Sequence, residues 1–153
     1  MLIFSLLLST PSAHAKDYNG SSRLWFTLAT RPLQASGGSG RAAGMERFPK
    51  AQFDLSDLRT ECYGSADTNG LGKGYCVTTA PDGALWVEAY VCDTAVLPPQ
   101  GVISACSGSA TILAGTGRFA RISGSSRFTM LTNMIAPDGM KVVFAPGEMQ
   151  LHW

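Results

Sequence analysis

Past Lys16 the chain holds one histidine, His152, four cysteines (Cys62, Cys76, Cys92, Cys106) and a sparse set of carboxylates. These residues bound the chemistry open to it. A Ser–His or Cys–His nucleophile needs an imidazole as its base. His152 is the second-last residue, on the polar side of a short alternating segment, and reads as a surface side chain. The cysteines read as oxidised, which leaves no thiolate for nucleophilic work. With no Cys-x-x-Cys and a single histidine, no metal ligand set and no cofactor site emerges. Among Asp54, Asp57, Glu61, Asp67, Glu88, Asp93 and Glu148, only Glu88 falls in the middle of a good strand, flanked by Trp86 and Tyr90.

Glu88 is therefore the one candidate catalytic residue. Along 85–92, Leu85, Val87, Ala89 and Val91 share one face, and Trp86, Glu88, Tyr90 and Cys92 share the other. If the second face lines an interior, Glu88 becomes an acid among aromatics with a raised pKa, suited to proton transfer or to anchoring the polar end of a ligand. The aliphatic face makes the better core, so the expected arrangement turns Glu88 to water. Arg118, Arg121 and Arg127 could gather at one end as an anion contact, but read first as solvating charges around a tight turn.

The elements that must position these residues are short and β-like. Tyr75–Thr79 and Leu85–Cys92 are joined by Ala80-Pro81-Asp82-Gly83, a strong hairpin turn. That hairpin places Cys76 opposite a residue near Glu88, with Cys92 four residues further on. Four residues of strand span about 13 Å, too far for a cystine, whose Cα atoms lie within about 7 Å. In a meander the strand of Cys76 separates those of Cys62 and Cys92. The pairing left is Cys62–Cys76 with Cys92–Cys106, each worth about 3 kcal/mol by loop closure.

From Thr111 to Thr129 the chain reads as strand, Gly115-Thr-Gly117 corner, a single turn carrying Phe119 and Ile122, a second corner at Gly124, and strand. Gly115, Gly117, Phe119, Ile122 and Gly124 are read as a barrel-closing motif in which the apolar pair plugs one end. Elsewhere, Lys16–Ser22 reads as a frayed lead-in, Leu24–Leu28 as a strand, Arg31–Met45 as a flexible loop and Ala66–Gly74 as a long turn. Phe128–Ile135 and Met140–Ala145 form a hairpin about a second Ala-Pro-Asp-Gly, and Glu148–Trp153 is a closing strand.

The run Gly115-Thr-Gly-Arg-Phe-Ala-Arg-Ile-Ser-Gly-Ser-Ser-Arg-Phe-Thr129, with Glu61-Cys-Tyr-Gly64, Gly74-Tyr-Cys-Val77 and Pro81-Asp-Gly83, resembles the allene oxide cyclase barrel-like group. That group includes dirigent proteins and secreted bacterial proteins of uncharacterised role. Arg121 stands where the group has glycine, and Ser126-Arg127 where it has Gly-Thr. The resemblance implies a barrel fold and carries over no catalytic residue.

The fold expected is all-β: a single antiparallel barrel of about eight short strands, stabilised by disulfides. Met1–Ala15 reads as a signal peptide, with Leu2–Leu8 apolar and Ala13-His14-Ala15 at the cleavage position, though no positive residue precedes Lys16. Lys16–Trp153 is then one domain, secreted or periplasmic. A net charge of +1 with both signs interspersed offers no nucleic-acid stripe, and past Leu8 no apolar run reaches the length of a membrane span. The functional expectation is a non-enzymatic barrel binding a small apolar molecule, or an extracellular interaction module. The alternative is a cyclase- or isomerase-like enzyme acting on an apolar substrate inside the barrel.

Overall fold

Alternating segments broken by Pro-Asp-Gly and Gly-x-Gly steps can bury one face only by curling a sheet around it. The computed structural model describes residues 15–32, 37–47, 55, 57–67, 71–135 and 141–153. Its strands are β1 (Asp17–Pro32), β2 (Gly37–Arg47), β3 (Leu58–Asp67), β4 (Gly72–Thr79), β5 (Leu85–Val96), β6 (Ser104–Gly115), β7 (Ser123–Ile135) and β8 (Lys141–His152). One 3-10 turn, Gly117–Phe119, lies between β6 and β7. Every pairing is antiparallel and joins neighbours in sequence, and β8 returns to pair with β1. From β3 through β8 to β1 the chain forms one seven-stranded sheet rolled into a half-barrel. The backbone of β2 pairs with β1 and β3.

The Ala80–Ala84 turn shows why the β4–β5 register is fixed. Gly83 sits at φ +84°, the left-handed region that glycine enters without a steric cost. Gly83 N–H donates to Ala80 O at 2.9 Å, and Ala84 N–H to Asp82 Oδ1 at 3.1 Å. Cys76 then lies opposite Glu88, and Cys62 opposite Cys76. Both cystines, Cys62–Cys76 and Cys92–Cys106, are formed.

The core fills one end of the concave face. Phe119 and Ile122, from the turn between β6 and β7, pack with Trp86, Ile112, Leu58, Leu55, Tyr18, Met149 and Leu151. Phe119 meets the Trp86 ring edge-on at 5.0 Å. A smaller cluster lies further along the same face, where Leu24 and Tyr90 pack on Cys62–Cys76.

Several local expectations are corrected. Asp17–Ser22 is no frayed lead-in, because it pairs with Gly147–His152. Gly37–Arg47, read as loop, is a strand: backbone ladders on both sides hold residues whose own propensity is weak. Met140–Ala145 and Glu148–Trp153 belong mostly to a single β8, continuous through Pro146. The β7–β8 pairs skip from Phe128↔Gly147 to Leu131↔Phe144, where proline has no N–H to give. The turn expected at 136–139, the tip of the expected 66–74 turn (68–70) and residues 1–14 of the expected signal peptide lie outside the described residues.

Candidate functional site

The inner face of β5 departs most from expectation. Trp86, Glu88 and Cys92 are buried and Tyr90 half-buried, whereas Leu85, Val87 and Ala89 are only partly covered and Val91 is exposed. The aliphatic face is thus the outer one. The cystines fix this choice. Cys76 and Cys92 must turn toward partners on the concave side, and parity carries Trp86, Glu88 and Tyr90 with them. Trp86 alone buries more apolar surface than any of the aliphatic residues opposite.

A β-bulge sits beside Glu88. Val87 pairs with Ala114 but Glu88 with Ile112, so β6 carries one extra residue there and both Leu113 and Ala114 face outward. Bulges of this kind re-aim neighbouring side chains. Glu88 ends up between the two apolar clusters, with Trp86 below, Tyr90 above, Cys76 across on β4 and Ile112 across on β6.

The carboxyl is 6% exposed, and its Oε2 has no hydrogen-bond partner among the described residues. Burial drives its pKa from an ordinary 4.5 to about 7, a hydrogen bond from the Trp86 side chain to the carboxyl pulling in the opposite direction. Burial also raises the Tyr90 phenol. The Tyr90 hydroxyl lies over Gly64, where a Cβ would come within 2.2 Å of it. Among the described residues of β3–β8 and the first residues of β1, Tyr18, Glu88 and Tyr90 are the titratable groups on the inner face near this level. Arg23, Arg59, Lys73 and Arg127 fall on the outward alternation of their strands, and the residues themselves are exposed. Lys141 has inner parity but lies eight residues along β8 from Met149, about 26 Å of strand.

The residues read as a barrel-closing motif sit together. Gly117 (φ +58°) and Gly124 (φ +147°) turn the chain on either side of buried Phe119 and Ile122. A Cβ on Gly115 would lie 2.1 Å from Phe119 O. The three arginines do not converge. Arg118 pairs with Asp82 at 3.3 Å and lies 4.8 Å from the Phe119 ring centre. Arg121 is exposed, and Arg127 stands opposite Glu148 on the outer side. His152 is exposed, with Nδ1 2.6 Å from Asp17 Oδ1. Among the described residues no group of His, Cys, Asp or Glu could hold a metal. No helix among the described residues is long and apolar enough to cross a membrane.

Sequence reasoning missed the buried hydroxyl pair Thr60–Thr78, 2.9 Å apart across β3 and β4. Its signal was parity with Cys62 and Cys76. The chain matches no protein-family model, and no curated protein matches it significantly.

Proposed function

We propose that this is an exported protein whose sheet closes through β2 into a single eight-stranded barrel, and that its interior binds one small, largely apolar molecule. One observation carries the reading: a buried carboxylate oxygen, Glu88 Oε2, with no partner among the described residues, on an inner face otherwise built of apolar residues, glycines and small hydroxyls, between a packed floor and a half-exposed Tyr90. A protein interior does not keep such a group without cost unless something satisfies it. Barrels of eight strands have room for a single small ligand. Two cystines and the apolar Leu2–Leu8 run favour an oxidising compartment, secreted or periplasmic. The likeness of Gly115–Thr129 to the allene oxide cyclase barrel-like group belongs to the same proposal. Native mass spectrometry of the exported protein tests it. A bound lipid-like mass supports the reading, and an empty barrel that takes up no apolar probe sinks it.

A second reading follows from the titration of Glu88. A carboxyl poised near neutrality can both give and accept a proton, which suits a cyclase- or isomerase-like step on an apolar substrate. Glu88→Gln separates the two. Binding retained with turnover lost supports the enzyme, and turnover that survives unchanged removes it.

A further inference from the structure

Among the described residues of β3–β8, the inner face offers a ligand one carboxyl, Glu88, and no nearby basic side chain. Glu88 Oε2 is buried without a partner, while Arg23, Arg59, Lys73 and Arg127 take the outward alternation and Lys141 belongs to the far end of β8. The nearest inward positions on its own and the adjacent strands are Trp86 and Tyr90 on β5, Cys76 (bonded to Cys62) and Thr78 on β4, and Ile112 on β6. Of these only Tyr90 titrates, and burial keeps its phenol neutral well into the alkaline range. No described side chain of β3–β8 is placed to act as counter-ion there, so a cation matching the ionised carboxylate would come from outside.

We propose that the ligand is a single-headed amphiphile whose polar end is an alkylammonium, its N–H donors on Glu88 and its apolar tail running past Tyr90 and the Cys62–Cys76 cystine toward the end away from Phe119. This rests on the interior-binding reading above and narrows it to a chemical class. An anionic head would meet a like charge in a dry site. A neutral alcohol would satisfy one hydrogen bond and leave the charge uncompensated. An ammonium supplies both donor and charge, and charge-assisted bonds are about twice as strong as neutral ones.

Proton linkage follows. With the carboxyl titrating near 7, an ammonium must displace a proton below that pH and none above it. Alkylammonium affinity should therefore rise as pH increases through 7, by roughly 30-fold from pH 5.5 to 8.5.

Dodecylamine, dodecanol and dodecanoate are titrated into the oxidised protein below their micellar concentrations, read by tryptophan fluorescence and native mass spectrometry at both pH values. At pH 8.5 dodecylamine is expected to bind at least tenfold tighter than either rival, and Glu88→Gln to erase that preference. Dodecanol bound with no amine preference overturns this inference and leaves the interior-binding reading standing. If none of the three binds, both fall. Should Glu88→Gln fail to keep its cystines and far-ultraviolet spectrum, the wild-type pH dependence decides, because a flat amine affinity across 5.5–8.5 also overturns the proposal.

Discussion

The two ends of the concave face are built from different materials. At the Phe119 end, rings and branched side chains interdigitate, and Trp86, Phe119 and Leu58 are wholly buried. At the Tyr90 end the wall is made of cystines and glycines, the apolar cluster is small, and Leu24 and Tyr90 are only partly covered. Dispersion and apolar burial hold the first end together. Covalent links hold the second, where fewer large apolar side chains interdigitate. Glu88 lies at the boundary. A carboxyl placed among the rings a turn lower would meet only cost, whereas here it can face whatever enters from the less crowded side.

Substitutions can break that contrast, beginning at the packed end. Phe119→Ala should cost about 3–5 kcal/mol, as for other large-to-small changes in a full core, seen as a lower urea midpoint with little change in slope. Leu113→Ala, at a residue 56% exposed, should stay within about 0.5 kcal/mol. Equal losses would mean that the plug does not dominate.

At the other end, Cys92→Ser with Cys106→Ser should cost about 3 kcal/mol, with tryptophan emission from the Phe119 end little changed. A red shift as large as that of Phe119→Ala would show that the ends are not independent.

Glu88 gives a pH signature of similar size. Its pKa in the folded protein (about 7) exceeds its ordinary 4.5, so the folded state holds the proton more tightly. Stability contributed by this group is full below about 4.5, falls as pH rises through the window, and is lost above 7. The change is on the order of 3 kcal/mol. Denaturation midpoints of wild type minus Glu88→Gln, measured from pH 4 to 8.5, should trace that decline. A constant difference would place the carboxyl in water.

Smaller effects belong to the turns under the packed end. A Cβ at Gly83 has nothing within 4 Å, so Gly83→Ala should cost only the positive φ, about 1–2 kcal/mol. Arg118→Ala loses an ion pair to a half-exposed Asp82. Screening keeps that below about 1 kcal/mol, and raised salt should shrink it further.

What could be read without coordinates was whatever a turn or a cystine constrains. Pro81-Asp82-Gly83 set Cys76 against Glu88, and distance along the strand then chose the cysteine partners. The face occupied by Glu88 was misjudged because alternation separates two faces without saying which is concave. Counting aliphatic residues favoured the wrong one, although Cys76, Cys92 and Trp86 shared parity with the acid. β2 escaped notice because Gly37–Gly40 has no side-chain pattern, and its order comes from ladders on both flanks. The bulge at Leu113 left no trace in a run of apolar residues.

Neither cystine crosses from β1 to β8. Each tethers a hairpin whose cysteines are 14 residues apart, whereas Asp17 meets His152 across 135. Ring-closing entropy rises with the length of chain enclosed, so hairpin joints can zip early while this joint waits for nearly the whole polypeptide. Until then β8 shows a bare row of amides and carbonyls that any β1-like segment could occupy, including one from a sister molecule. Oxidation speeds the middle of the chain and leaves that last step untouched, so strand exchange between copies would be sensitive to concentration and indifferent to reductant.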